Sequence, residues 1–243
     1  MEKTTTTKEL FQFKQFQIDQ QDCTMKIGTD GVLLGAWADV SGANKILDIG
    51  TGTGVIAIML AQRAVEAQVD AVEIDEPACK TAIQNMAASP FAARLTAHQA
   101  SIQNFAKISK TEYDLVVCNP PFFTGGTLSS SNDRNNVRHT VKLPNGELLS
   151  SVRRVMAKGG KFCVILPYLE GLRFKELAAN YNLYCTRMVE VKPKKDKSVE
   201  RLLLQFEKEA KEIQMEGLVI QREKRNDYTK AYVDLTKAFY LKM

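Results

Sequence analysis

The sequence predicts an α/β fold, a mostly parallel, doubly wound sheet with helices on both faces. Three observations predict it. Short apolar runs rich in Val, Ile and Leu alternate with helix-compatible stretches, the pattern of strands buried on both faces. A glycine-rich turn, DIGTGTG (48–54), joins the first run to a helix. A fourth run stops at Asn119-Pro120-Pro121-Phe122, where two residues without an N–H end any ladder.

Each element follows in order. KILDIG (45–50) is the first strand and VIAIMLAQRA (55–64) the helix after it. VDAVEID (69–75) is the second strand, and PACKTAIQNMAAS (77–89) is a helix with Pro77 suited to its first turn. RLTAHQA (94–100) and YDLVVCN (113–119) are the third and fourth strands. Residues 124–146 are rich in Gly, Ser and Asn and read as a loop. LLSSVRRVMAKGG (148–160) reads as a helix closed by glycine, and KFCVILP (161–167) as the fifth strand. MVEVKP (188–193) and RLLLQFE (201–207) are expected to form a hairpin at the sheet edge. The aromatic stripe Tyr228, Tyr232 and Phe239 reads as core packing on a terminal helix.

Composition narrows the class. The chain has 243 residues, 44% hydrophobic and 25% charged, ordinary values for a globular protein with one sizeable core. It holds no apolar run long enough to span a membrane and opens without a signal pattern, so a cytoplasmic protein is expected. Five cysteines lack CxxC spacing, and Cys118 and Cys163 sit inside apolar runs as small hydrophobes. His98 and His139 are far apart, so neither a metal site nor a disulfide framework is expected. The whole chain is read as one domain, with residues 1–40 a lead-in capping a ligand site and 41–243 the core.

The glycine turn lies where an open α/β sheet binds ligands, outside the carboxyl ends of its strands. A dinucleotide fingerprint would need glycine at position 55, which is Val55. That mismatch, with no evident hydride-transfer acid/base pair, disfavours a nicotinamide oxidoreductase. Asp48-x-Gly50-x-Gly52-x-Gly54 instead resembles the first motif of Rossmann-like S-adenosylmethionine-dependent methyltransferases. The resemblance implies that Gly50, Gly52 and Gly54 approach the cofactor and that Asp48 sits near its amino group. Glu73 ends the second strand about 20 residues on, where a carboxylate can take ribose hydroxyls. Ser101, past the third strand, is placed either to bond the adenine or simply to make a turn.

Asn-Pro-Pro-Phe resembles the fourth motif of amino-methyltransferases acting on adenine N6, guanine N2 or the glutamine amide. An exocyclic purine amine is a poor nucleophile because its lone pair is shared with the ring. The Asn119 side-chain carbonyl and the Pro120 backbone carbonyl can each accept one N–H, which favours a pyramidal nitrogen with its lone pair free. Prolines hold that carbonyl ready. Phe122 offers the base a stacking face, worth about 1–3 kcal/mol.

The lead-in MKIGTDGVLLGAWA (25–38), with AVEID, NPPF, RNNVRHT (134–140) and the ending YTKAYVDLTKAFYL, narrows the resemblance. Together they are similar to bacterial tRNA (adenine-N6)-methyltransferases that modify valine tRNA at adenine 37, beside the anticodon. That family implies a mostly parallel seven-stranded sheet with one antiparallel strand, S-adenosylmethionine as cofactor and an anticodon stem-loop as partner, with a monomer expected. It also implies that Lys26 and Thr29 close over the methionine end of the cofactor, unless they are a surface lysine and a helix cap.

Charge fits an RNA partner. Residues 1–150 carry 13 Lys and Arg against 16 Asp and Glu, and residues 151–243 carry 20 against 12. Lys192, Lys194 and Lys195 cluster with Lys197 where RNA phosphates could be met, or where a hairpin tip is merely solvated. Arg134, Arg138 and His139 follow NPPF in the polar loop, where they could grip RNA beside a flipped base. Three other readings share the sequence: guanine N2 methylation of ribosomal RNA, glutamine methylation of a release factor, and a non-catalytic RNA-binding module.

Overall fold

The structure is a computed structural model that describes residues 9–20, 26–120 and 143–243. It opens with a hairpin, β1 (Leu10–Gln12) and β2 (Gln17–Asp19), and helix α1 (Thr29–Trp37). An alternating run follows: β3 (Lys45–Ile49), α2 (Val55–Arg63), β4 (Gln68–Glu73), α3 (Glu76–Ala88), β5 (Leu95–Gln99), α4 (Ile102–Ile108) and β6 (Tyr113–Cys118). The second half contains α5 (Asn145–Val155), β7 (Met156–Pro167), α6 (Tyr168–Ala179), β8 (Tyr184–Lys194), β9 (Arg201–Glu207), β10 (Gln214–Gln221) and α7 (Lys230–Thr236). No helix among the described residues is long and apolar enough to cross a membrane.

The main sheet runs β10-β8-β9-β7-β6-β3-β4-β5. Among the described strands of this sheet only β9 is antiparallel to its neighbours, β7 and β8. Seven strands thus match the expected pattern, and an eighth, β10, lies parallel to β8 at the edge. The β8–β9 hairpin forms, but not at the edge: β9 inserts between β7 and β8, and β10 covers β8. QMEGLVIQ gave no strand signal because its first four residues are exposed, so apolar alternation is missing there.

Alternate residues of the central strands feed two cores. Ile46, Leu115, Val117, Cys163 and Ile165 pack with α1 and α2 on one face. Leu47, Ile49, Val116, Cys118, Phe162 and Val164 pack with α5 and α6 on the other. Burial on both faces explains why these strands read as continuous apolar runs. Burial also pushes the Cys118 thiol well up, so both central cysteines behave as small hydrophobes. The N-terminal hairpin packs onto the chain's end: the Phe13 ring stacks 4.6 Å from Phe16 and 6.1 Å from Tyr240. Tyr232 and Phe239 are buried as expected and Tyr228 is half-buried against the same core, but α7 spans Lys230–Thr236, so Tyr228 and Phe239 flank the helix instead of lying on it.

The helix expected over 148–160 ends five residues early, at Val155, and Met156–Gly160 already belong to β7. Met156 is fully buried and pairs with Tyr113 at the start of β6. Gly160 is therefore a close-approach glycine, not a helix stop. A Cβ there would lie 2.7 Å from the Tyr113 carbonyl oxygen and 2.8 Å from Met156 Cγ. Gly160→Ala is expected to lower stability by about 1–3 kcal/mol through overpacking. The check is a denaturant midpoint that falls while the slope stays constant; an unmoved midpoint contradicts the close approach.

Candidate active site

Strand register assembles the site. Ile49 of β3 lies opposite Val72 of β4 and Cys118 of β6. The next residue on each strand is Gly50, Glu73 and Asn119, so all three leave the sheet level at its carboxyl edge. Neighbouring strands lie about 4.8 Å apart, which sets Glu73 and Asn119 about 10 Å from each other with the glycine loop between them.

The loop needs its glycines for two different reasons. Gly50, Gly52 and Gly54 have φ of 68°, 55° and 83°, values that side chains strain to adopt. A Cβ on Gly50 or Gly52 would meet nothing within 4 Å, whereas one on Gly54 would press Met86 Cε at 3.3 Å and Ala82 Cα at 3.5 Å. The first two face open space where a ligand fits; the third lets α3 pack closely. Backbone bonds from Gly50 and Thr51 to the Val72 carbonyl, 2.8 and 3.2 Å, fasten the loop to β4.

Glu73 closes the loop from the other side. Its Oε2 accepts the Gly52 N–H at 2.9 Å and its Oε1 accepts the Asp75 N–H at 2.9 Å. The carboxylate is half-buried, so lone pairs remain for a diol beside the open glycines. Ile74 follows it with 45% of its surface exposed, an apolar face suited to a flat base that sequence reasoning passed over. These features together fit a nucleoside cofactor such as S-adenosylmethionine. Asn85 is a second omission. Buried in α3, its amide donates to the Thr53 carbonyl at 2.9 Å and the Asp19 carbonyl at 3.0 Å, and accepts the Asp19 N–H at 2.8 Å. It thereby pins the glycine loop to the lead-in hairpin. A polar residue among the alanines of this helix was the available signal.

Asp48 lies beneath the glycine loop. It is fully buried, and its Oδ2 accepts the Thr51 hydroxyl at 2.6 Å. It thereby fastens the start of the glycine loop to the end of β3. Ser101 caps α4, its Oγ accepting the Asn104 N–H at 3.2 Å. Ser101 still stands at the right edge, because the preceding Ala100 N–H bonds the Glu73 carbonyl at 2.9 Å. Lys26 pairs with Glu9, 2.6 Å away. Thr29 starts α1 and is exposed.

Asn119 has an unusual environment. Its Oδ1 is buried and has no hydrogen-bond partner among the described residues. Helix α1 comes in over it: a Cβ on Gly31 would lie 3.8 Å from Asn119 Nδ2. The neighbouring Asp30 accepts Arg201 Nε at 2.8 Å, tying α1 to the start of β9. The lead-in thus reaches the site at Asn119. Pro120 is half-buried beside it. Phe122, Arg134, Arg138 and His139 lie outside the described residues. Lys192, Lys194 and Lys195 follow the β8 ladder to the same edge, since β8 runs parallel to β7 and hence to β6. A cleft of about 430 Å³ at the opposite edge is lined by paired charges, among them Lys161–Asp39 and Arg187–Glu216, and offers no such acceptor.

Comparison with known proteins agrees with this geometry. Residues 26–166 match the family described as "Methyltransferase small domain". The chain is 42% identical over 236 residues to a Flavobacterium johnsoniae protein named tRNA1(Val) (adenine(37)-N6)-methyltransferase, covering 96% of this chain and 100% of that one. A Trichodesmium erythraeum protein of the same name is 43% identical over 234 residues, covering 96% and 98%. Among solved structures, an Agrobacterium tumefaciens protein described as a predicted O-methyltransferase superposes with a TM-score of 0.66 at 17% identity, covering 86% of this chain and 96% of its own. The CcbJ methyltransferase of Streptomyces caelestis gives 0.54 at 15% identity, covering 74% and 90%. At such identities these two speak for the fold alone.

Burial pushes the Asp48 carboxyl up to about 7; the Glu73 carboxylate adds to the rise and the Thr51 hydroxyl opposes it. In the unfolded chain the same group titrates near ~3.9. Between those values the folded state holds the extra proton, so stability falls as pH rises, by at most about 1.4 kcal/mol per pH unit, and levels off above 7. Asp48→Asn removes this contribution. Its stability relative to the parent is expected to grow from pH 5 to pH 7.5 in denaturant titrations. Parallel curves contradict the assignment.

Proposed function

The chain belongs to the methyltransferase small-domain family and, within it, to the tRNA1(Val) (adenine(37)-N6)-methyltransferases, and from this we propose its reaction: methylation of adenine N6 at position 37 of a valine tRNA. S-adenosylmethionine supplies an electrophilic methyl group on a sulfonium centre. Gly50 and Gly52 give it room, Glu73 takes the ribose hydroxyls, and Ile74 with Ser101 borders the base.

The observation that carries the reading is the enclosed Oδ1 of Asn119, which has no hydrogen-bond partner among the described residues. Leaving such an acceptor unmatched costs about 1–3 kcal/mol, a cost relieved when a substrate N–H arrives. Asn119 Oδ1 accepts one N–H of the adenine amine and the Pro120 carbonyl the other. Both bonds strengthen as the nitrogen becomes cationic, so they favour the transition state over the ground state. No strong base is needed, because the proton becomes acidic once the new N–C bond forms. Phe122 stacks on the base. Because Gly50 and Asn119 follow the same register row, amine and methyl donor meet within one edge, which supplies the proximity term.

The reading takes the anticodon stem-loop as the docking partner and a monomer as the working form. Lys192, Lys194 and Lys195 meet phosphates, and Arg134, Arg138 and His139 hold the strand beside the target. An unpaired loop is a cheaper place than a duplex to extract a base.

Asn119→Ala is expected to lower kcat for valine tRNA by about 10²–10³-fold, with cofactor affinity almost unchanged, since Asn119 touches the acceptor amine alone. Methyl-transfer kinetics beside calorimetric cofactor titration read both quantities. Parallel loss of the two contradicts the role.

A further inference from the structure

The eighth strand has no task at the cofactor, which lies at the far side of Asn119. β10 and β8 run parallel, with Lys192 opposite Val219 and Lys194 opposite Gln221. The turn after β10 therefore emerges at the same carboxyl edge as Asn119. Four strand steps separate β6 from β10, a lateral offset of about 19 Å.

This turn is built, not loose. The Arg222 N–H donates to the Asp227 carbonyl at 2.7 Å, the Asp227 N–H to the Lys224 carbonyl at 3.3 Å, and Asn226 takes a φ of 64°. An isolated bridge between Gln221 and Tyr228 closes its base. Arg222, Lys224 and Arg225 are all exposed on it. The Lys194 ammonium donates to the Glu223 carbonyl at 2.8 Å, joining the β8–β9 loop to the turn. A backbone oxygen, not a carboxylate, makes that join, so the positive charge of Lys194 is not neutralised there. Across 192–200 and 222–227, seven lysines and arginines stand against four carboxylates. Among the described residues, the ion pair of Arg222 is a long one, 3.8 Å to Asp227. Holding like charges together costs free energy, which a polyanion would return.

We propose that the β10 turn, with Arg222, Lys224 and Arg225, is a second phosphate-binding wall that grips the RNA substrate away from the reacting base. It rests on the reading of the chain as a tRNA methyltransferase and adds a surface to it. Lys192, Lys194 and Lys195 form the nearer wall and the turn the farther one. The contacts are to backbone phosphates, so they position the RNA without reading its sequence.

The test is steady-state methylation of purified valine tRNA over a range of salt concentrations. The variants are Lys224→Gln/Arg225→Gln, which keeps the Arg222–Asp227 turn, and Arg222→Glu/Lys224→Glu/Arg225→Glu. The double variant is expected to raise KM for tRNA at least threefold and to lower the slope of log KM against log salt by about 1–2, each lost phosphate contact removing close to one. The triple reversal is expected to raise KM at least tenfold. Saturating kcat and cofactor affinity should stay within twofold, which also reports that both variants are folded. KM and slope unchanged in the double variant overturn the proposal, whatever the triple does. If the parent enzyme methylates no tRNA, the underlying reading fails first and this surface falls with it.

Discussion

The parallel register of β4, β3 and β6 is the constraint on which the rest depends. Parallel strands deliver all their carboxyl ends to one edge, and the pairing of Ile49 with both Val72 and Cys118 makes Gly50, Glu73 and Asn119 level. A slip of one residue would turn the apolar side chains of a strand to the wrong face. Because each central strand is buried on both sides, that slip is strongly opposed. The position of Asn119 relative to the glycine loop is thus set by core packing tens of atoms away.

Preorganisation is layered on this frame. The glycine loop is fastened by backbone bonds to Val72, by Glu73 at Gly52 and by Asn85 at Thr53. Asn85 and the Asp30–Arg201 pair then bring the lead-in to the loop and to Asn119. The result is a site whose empty elements, the space before Gly50 and Gly52 and the lone pairs of Asn119, face groups that already hold their geometry. Two buried oxygens there, Asp48 Oδ1 and Asn119 Oδ1, have no hydrogen-bond partner among the described residues. Burial raises the affinity of the Asp48 carboxyl for a proton, and the reading proposed above gives Asn119 Oδ1 to the substrate amine. Stability lost at such groups is a common feature of functional sites.

Residues whose role is dictated by backbone chemistry were legible in sequence. Glycines at positive φ, a proline pair ending a strand, and a carboxylate closing β4 each declare themselves within a few residues. The central strands were legible for the same local reason, their continuous apolar runs. What depends on distant partners was not. The half-exposed β10 shows no alternation, and insertion of β9 between β7 and β8 is a long-range choice with no local mark. Gly160 looked like a helix stop because its neighbour across the sheet, the Tyr113 carbonyl, was invisible. The full burial of Asp48 was not legible either, since it depends on distant packing. Lys26 was drawn to Glu9, a pairing between two stretches of the lead-in that charge pattern alone could not choose.

The most direct test of the account is methyl transfer from labelled S-adenosylmethionine into total tRNA from a strain lacking this activity, with nucleoside analysis of the product. Label is expected in N6-methyladenosine, confined to position 37 of valine tRNA. Label in N2-methylguanosine, or in protein but not in tRNA, would keep the fold and the cofactor but contradict the assignment of Asn119 to an adenine amine.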